Sequence, residues 1–534
     1  MEKSDRMCKG LGGKNSLIRE QMIQRAEEAP DRWDVIILGG GATGLGCAVD
    51  SASRGFRTLL LEQSDFAKGT SSRSTKLIHG GLRYLQQGNI ALVIEALKER
   101  GLLCQNAPHL IHHLPFLVPN YHWWEGPFYG IGIKIYDLLA GKLGIEKSEK
   151  ISLSATLKAI PTLEPQGLRG GVVYYDGQFD DSRLAISLAQ TAADHDGVLI
   201  NYMKVTSLIK KNGICCGVHA TDQESKVRYQ FHGHVVINAT GVFSDQILQK
   251  DNPAAKPIIA PSQGVHIVLD KSFQPGKTAI LVPHTSDNRV LFMVPWHDRI
   301  LLGTTDTPMK KSSLEPRPLK EEIEFLLTHA GKYLTKGPTK KDILSAFAGL
   351  RPLIKTGKGD NTAALSRDHT LFVSKSGLIT IAGGKWTTYR KMAEDAINKA
   401  IAVGGLPERN SITSSLKLHG FQEGLDPSHH FSTYGSFGKE IKALARQKKE
   451  WAAILHPHLP YTAAEVIWGV RNEMARTLED LLSRRTRALL LDAKASIAMA
   501  PEIAKLMAKE LNKTATWEKK QIAEYTQLAN HYLV

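Results

Sequence analysis

The chain has 534 residues, 68 Lys+Arg against 53 Asp+Glu for a net charge of +15, and 42% hydrophobic with 23% charged residues. That length exceeds one hydrophobic core and predicts two or three domains of globular composition, and no apolar run is long enough to predict a membrane-crossing helix. Five cysteines (Cys8, Cys47, Cys104, Cys215, Cys216), with no C-x-x-C, argue against a disulfide framework and an iron–sulfur or zinc site, and fit a reducing cytosol.

Residues 1–33 mix seven basic with six acidic side chains and lack an apolar core segment, so they read as an N-terminal extension rather than a signal or transit peptide. The excess positive charge suits an anionic partner: a phosphate substrate, acidic lipid or nucleic acid.

The strongest signal follows. Val35–Leu38 read as a buried strand, Gly39, Gly41 and Gly44 supply G-x-G-x-x-G spacing, and Leu45–Ser53 continue as a helix ending at Gly55. The first glycine permits a tight turn, the second lets backbone approach a pyrophosphate, and the third lets helix and strand pack closely. A helix N-terminus directs N–H groups and partial positive charge at phosphates. The second strand, Thr58–Glu62, ends in a carboxylate suited to ribose hydroxyls. Strand, glycines, helix, strand and acid in register predict a dinucleotide-binding unit.

Further βα units would follow in a nicotinamide enzyme. Here Thr70-Ser-Ser-Arg-Ser-Thr-Lys-Leu-Ile-His-Gly-Gly-Leu-Arg-Tyr84 follows instead, a hydroxyl-rich loop ending at a glycine pair that suits a planar ring and a polyol. An amphipathic helix is expected at Ile90–Leu103 and a loop around Pro108, Pro115 and Pro119. Residues 121–146 are apolar and aromatic, led by Trp123 and Trp124, with few charges; a lipid-facing helix and a buried core helix both fit. A helix at Asp181–Ala193 and strands near 198–209, 214–220 and 227–237 come next. The buried strand through Val235–Asn238 into Ala239-Thr240-Gly241 is a second cofactor signal. Alternating patterning over 255–345 predicts an antiparallel substrate or cap domain. Leu378–Ala382, Gly383-Gly384 and a helix from about Thr387 repeat the strand–glycine–helix unit, and residues beyond about 420 read as a Lys/Arg-rich helical domain.

The chain resembles the FAD-dependent glycerol-3-phosphate dehydrogenases of the aerobic, bacterial type. Thr70–Leu85, Gly349-Leu-Arg-Pro352, Ser366-Arg-Asp368, Gly383–Arg390 and Glu473–Arg487 are similar to that family's signatures in the same order, so the resemblance covers most of the chain. It implies an α/β fold: a two-dinucleotide-binding-fold flavoprotein with a Rossmann-like FAD domain, an antiparallel β-rich cap and a C-terminal helical domain. The expected partition is 34–103 with 168–254 and 346–405 for FAD, 104–167 with 255–345 for the cap, and 410–534 for the helical domain.

The candidate FAD contacts are Gly39, Gly41, Gly44, Glu62, Thr70, Ser71, Ser72, Lys76, Ile78, His79, Gly80, Ala239, Thr240, Gly241, Gly384, Lys385, Thr387 and Thr388. A sugar phosphate needs several fixed cations, and the resemblance brings Arg83, Arg351, Arg367 and Lys385 over the flavin with Tyr84 as a hydroxyl donor. Oxidation of a secondary alcohol needs a base and a cation for the developing alkoxide. His266 is the first candidate base and His79 the second, with Arg351 as the cation and Thr304, Thr305 and Asp306 bordering the site. No metal is expected. The resemblance further implies glycerol 3-phosphate as substrate and a membrane quinone as acceptor. The enzyme would be cytoplasmic and peripheral on the inner face of the cytoplasmic membrane, against anionic lipid, and a homodimer is left open. A glycerophosphate oxidase using oxygen is the enzyme alternative. A flavin-containing RNA-binding protein is the other, with Arg484, Arg485 and Arg487 as its basic patch; no nucleic acid is needed to explain the charge.

Overall fold

The computed structural model describes residues 17–29, 32–81, 85, 88–286, 289–355 and 369–534. Its first sheet runs in the order Thr370–Val373, Ile379–Ala382, Arg228–Asn238, Trp33–Leu38, Thr58–Leu61 and Val198–Ile200. All neighbours are parallel except the first pair. Val35–Leu38 and Leu59–Leu61 are buried throughout, as continuous apolar strands covered on both faces must be. Helices Ala42–Ser53 and Tyr389–Gly404 pack against each other and the sheet, and Asp181–Asp194 packs on the first of them.

The single strand expected over 198–209 is two. Val198–Ile200 ends at Asn201, whose side-chain amide donates to Asp65 and to the Met474 carbonyl, and Tyr202 takes a left-handed φ of 55°. The chain thereby leaves the sheet and re-enters as Met203–Lys211, which forms an antiparallel ribbon with Ile214–Asp222 and Arg228–Asn238.

A second, mainly antiparallel sheet has ten strands among the described residues. Its spine is the long pair Ile259–Asp270 and Ile343–Ile354. One expectation is corrected here. Residues 111–120, expected as a loop, form a strand paired with Gly170–Phe179; the other neighbour, Ala279–Val282, covers only Phe116 and Leu117, so Pro115 and Pro119 fall outside the two-sided stretch. Gly170–Phe179 and residues 346–354, which the expected partition grouped with the dinucleotide unit, hydrogen-bond within this second sheet.

The apolar segment becomes helix Glu125–Ala140, and it has two apolar faces. Tyr129, Ile133 and Tyr136 are buried in the core, while Phe128, Ile131, Ile135 and Leu138 are 44–79% exposed, beside Trp123 at 78% and Trp124 at 40%. Ile90 and Ile94 on the adjoining helix Ile90–Asn106 are also exposed. Among the described residues no helix is long and apolar enough to cross a membrane.

The C-terminal region carries helices Gly438–Gln447, Ala463–Asn472, Ala493–Glu510 and Ala515–Ala529, together with the hairpin Ile454–His456 and Leu459–Thr462. It joins helix Asp181–Asp194 and the loop after Thr58–Leu61 through buried ion pairs: Arg183–Glu473 at 2.7 Å, Arg484–Asp65 at 2.5 Å, Arg485–Asp65 at 2.7 Å and Arg487–Asp181 at 2.9 Å. Burial works to raise the Asp65 carboxyl, but the Arg485 and Arg484 guanidiniums hold it at about 2. Arg484, Arg485 and Arg487 are therefore interior struts, and the basic patch expected of an RNA-binding protein is not at the surface.

Candidate active site

The two sheets enclose a cleft of about 510 Å³. One end lies at the glycine motif. Gly39 turns with φ 104°, and a Cβ there would meet the Ala239 carbonyl at 2.7 Å. A Cβ on Gly44 would come within 1.9 Å of the Gly39 carbonyl, so strand and helix touch as the spacing requires. Gly41 is the N-cap of helix Ala42–Ser53, which aims the helix N-terminus into the cleft. Glu62 lines the same end, its carboxylate accepting from Gly40 N at 2.6 Å and Ser64 N at 2.8 Å.

The hydroxyl-rich loop forms the middle of the wall and is pinned from several directions. Thr70 Oγ1 donates to the Leu350 carbonyl at 2.5 Å, Ala42 N donates to Ser71 Oγ at 2.9 Å, and Trp386 Nε1 donates to the Ser71 carbonyl at 2.9 Å. Thr387 Oγ1 accepts from His79 N at 3.3 Å, which brings the second strand–glycine–helix unit against the first.

Strand alternation builds the far end. Ser262, Gly264 and His266 face Arg351, Gly349 and Phe347 across the long pair, and successive pairs of this kind share one sheet face. His266 stacks on Phe347 with centroids 5.2 Å apart and shares a hydrogen bond with Thr75 Oγ1 at 2.9 Å through Nε2. Burial, then the charges of Lys76 and Arg351, hold its imidazole well below the ordinary histidine range. Arg351 Nη2 donates to Thr304 Oγ1 at 3.2 Å and to the Thr305 carbonyl at 3.0 Å, and Nη1 lies 3.5 Å from Asp306. Lys385 also lines the cleft.

Of the expected residues, Gly39, Gly41, Glu62, Thr70, Ser71, His79, Ala239, Thr240, Gly241, His266, Thr304, Arg351, Gly384, Lys385 and Thr387 all line the cleft. Six cofactor candidates, with Thr305 and Asp306, do not. Gly44 packs on Gly39 behind the wall. Lys76 is fully buried; its Nζ donates to the Ser72 carbonyl at 2.9 Å and to Asp181 at 2.6 Å, over the rings of Trp296 and Phe347. Burial lowers that ammonium to about 8 even with Asp181 beside it. Lys76 and Ser72 thus brace the loop from behind. Ile78 is fixed in a strand with Gly177, Gly80 N donates to Tyr136 Oη at 2.7 Å, and Thr388 is buried at the start of helix Tyr389–Gly404. Thr305 and Asp306 lie one layer back, behind Arg351. Arg83, Tyr84 and Arg367 lie outside the described residues.

The sequence reading missed several wall residues. Arg73, Ser74 and Thr75 sit inside the recognised loop, where hydroxyl and guanidinium spacing gave no sign of direction. Arg73 pairs with Glu315 at 2.6 Å and donates to Tyr532 Oη at 3.4 Å, a contact 459 residues distant. Lys204 and Lys250 reach the dinucleotide end from the ribbon and its following helix, which only the tertiary fold places there.

Comparison with known proteins agrees with this geometry. Residues 34–390 match the family model described as FAD dependent oxidoreductase, and 379–521 match the C-terminal domain of alpha-glycerophosphate oxidase. The mitochondrial glycerol-3-phosphate dehydrogenase of Rattus norvegicus is 41% identical, over 96% of this chain and 75% of its own length. The chain belongs to the FAD-dependent glycerol-3-phosphate dehydrogenase family. The mitochondrial member from Arabidopsis thaliana is 37% identical over 99% of this chain and 91% of its own length. The glycerol-3-phosphate dehydrogenase of Bacillus halodurans, solved in complex with FAD, superposes with a TM-score of 0.79 at 29% identity, covering 97% of this chain and 98% of the other.

The cofactor of this dehydrogenase-family chain is FAD, and the residues present fit it. The cleft wall at Gly39, Gly41, Gly241 and Gly383–Gly384 is main chain without bulk, which admits a polyphosphate to backbone N–H groups at a helix N-terminus. Glu62 stands at the ribose end, and the loop hydroxyls line the middle.

Proposed function

We propose that this enzyme oxidises sn-glycerol 3-phosphate to dihydroxyacetone phosphate. One observation carries the reading: a buried imidazole, held well below the ordinary histidine range by burial and by the charges of Lys76 and Arg351, lines a dinucleotide cleft together with Arg351 and Lys385. Bound FAD supplies the two-electron hydride acceptor there. His266 takes the proton from the C2 hydroxyl, Thr75 orienting its ring. Arg351 stabilises the alkoxide as it develops, and Lys385, with Arg83 and Arg367 from the family motifs and Tyr84 as hydroxyl donor, receives the phosphate. His79 positions the loop through its backbone contact with Thr387. Anaerobic addition of glycerol 3-phosphate to the yellow protein should bleach the flavin; persistent yellow colour would refute the reading.

The electrons pass on to a membrane quinone, with the protein peripheral on the inner face of the cytoplasmic membrane. The outward stripe Trp123, Trp124, Phe128, Ile131, Ile135 and Leu138 supports this: it is an apolar surface on a chain of charge +15, suited to an anionic bilayer interface. The C-terminal match to a glycerophosphate oxidase favours a second reading, in which oxygen is the acceptor. Oxygen uptake without quinone as fast as turnover with it would select that reading.

A further inference from the structure

Glu322 is the third residue of helix Lys320–Gly331, outside every motif considered above, and it is 5% exposed. Its carboxylate accepts four hydrogen bonds: from Thr305 Oγ1 at 2.8 Å, Thr307 Oγ1 at 2.6 Å, Gln263 Nε2 at 2.7 Å and Leu319 N at 3.0 Å. Two hydroxyls, one amide and one backbone N–H hold the charge, and none of them is a cation. A buried carboxylate of this kind is costly unless its acceptors are filled, so each partner is held in place by the others.

Those partners flank the candidate catalytic groups. Thr305 and Thr307 bracket Asp306 in the turn that receives Arg351. Gln263 precedes Gly264, and the Thr305 hydroxyl that donates to Glu322 also accepts from Val265 N at 3.0 Å, next to His266. Gly264 leaves the space Arg351 occupies: a Cβ there would meet Arg351 Nη2 at 2.5 Å and Thr304 Oγ1 at 2.6 Å. A second brace, Arg289 Nη1 to the Asp306 carbonyl at 2.7 Å, holds the same turn from the other side. Thr305 links Glu322 to the guanidinium: its hydroxyl donates to Glu322 and its carbonyl accepts from Arg351 Nη2 at 3.0 Å.

We infer that Glu322 is a positioning residue for this reaction: its carboxylate locks the 304–307 turn to strand Ile259–Asp270 and so aims Arg351 at the substrate oxygen. Uncharged donors suit this role, because a cation beside Glu322 would compete with Arg351 for the field at the cleft. The kinetic consequence rests on the glycerol 3-phosphate reading; the geometric one does not.

The test compares Glu322→Gln, Arg351→Ala and the double variant as FAD-loaded proteins. Glutamine keeps the volume and one oxygen, but its NH2 faces either two hydroxyls or two obligate donors, so the lock loosens while the helix survives. Glu322→Gln should retain FAD and reduce it roughly 10–100-fold more slowly at saturating glycerol 3-phosphate, the effect of a misaimed group. The apparent substrate Kd should shift far less. In the Arg351→Ala background the same substitution should cost nothing further, whereas a purely structural role would give additive losses. A crystal structure of the Glu322→Gln protein with FAD should show the guanidinium displaced from Thr304 and Thr305. Additive losses, an unchanged rate, or an Arg351 that keeps both contacts in that crystal would each overturn the inference. Failure of the wild type to bleach would instead count against the substrate, and the crystallographic comparison would still decide the role of Glu322.

Discussion

The hydroxyl of Tyr136 accepts a hydrogen bond from the backbone N–H of Gly80 at 2.7 Å and donates to the Asp176 carboxylate at 2.9 Å. Tyr136 lies on the buried side of the helix whose outer side presents Phe128, Ile131, Ile135 and Leu138, and Gly80 ends the loop that lines the cofactor cleft. One helix thus joins an exposed apolar surface to the cofactor loop through the Gly80–Tyr136 hydrogen bond.

That helix predicts two separable phenotypes. Ile131→Glu, on the exposed side, should weaken binding to anionic vesicles and leave the melting temperature near that of the wild type. Tyr136→Phe should do the reverse, retaining vesicle binding but losing about 1–3 kcal/mol as Gly80 N and Asp176 lose a buried partner. Cosedimentation and thermal melts of both variants decide it; unaltered vesicle binding by Ile131→Glu would mean that the membrane is met elsewhere.

Gly44→Ala should remove FAD. The added methyl would sit 1.9 Å from the Gly39 carbonyl, and relief requires moving backbone on both sides of the phosphate turn. Overpacking of this kind costs about 1–3 kcal/mol or more. A Gly44→Ala protein that purifies yellow with normal stability would show that the turn can shift.

Arg351→Ala should lower kcat/KM for glycerol 3-phosphate by about 1.5–3 kcal/mol, the range for a bond to a charged group, and bound FAD should remain. Equal kcat/KM would make this arginine structural.

His266 should act as a base across the neutral range. Burial, Lys76 and Arg351 keep the ring unprotonated there, so flavin reduction should show no histidine inflection near pH 6.5. His266→Ala should slow reduction by about 10²–10⁴-fold if this residue is the general base. Normal bleaching kinetics in that variant would transfer the role to His79 or to solvent.

Stability should fall on mild acidification. Burial lowers His109 to about 4, while its unfolded value is about 6.5. Above about 6.5 neither state binds the proton and the contribution is complete. Below it the unfolded chain binds a proton that the folded one refuses, so stability is lost as pH drops toward 4. His109→Phe should flatten the melting-temperature profile between pH 6.5 and 4.5; an unchanged slope would assign the loss to other groups.

The parts legible in the sequence were those whose physics is local. Gly39, Gly41, Gly44 and Glu62 announce a dinucleotide because turn, close approach and helix packing each need a residue type at fixed spacing. The same logic gave the strand before Ala239-Thr240-Gly241 and the Gly383-Gly384 turn. Alternation over 255–345 gave an antiparallel sheet, because side chains on a strand alternate faces whatever the strand pairs with.

Direction and partnership were decided only by the tertiary structure. Lys76 and Arg351 are both cations in recognised motifs, yet Lys76, at a left-handed bend just before strand Leu77–Ile78, is buried against Asp181, while Arg351, on strand Ile343–Ile354, faces the cleft. The prolines at 115 and 119 suggested a loop because local preference is blind to which edge of a strand goes unpaired. Helix Glu125–Ala140 left lipid-facing and core readings open because apolar residues ring most of it; burial of Tyr129, Ile133 and Tyr136 gives one face to the core and leaves the other outside. Arg484, Arg485 and Arg487 looked like a surface patch until Asp65 and Asp181, more than 300 residues earlier, came to meet them. Spacing along a chain fixes what a turn or a strand can do, but only packing brings distant charges together and excludes the water that would otherwise screen them.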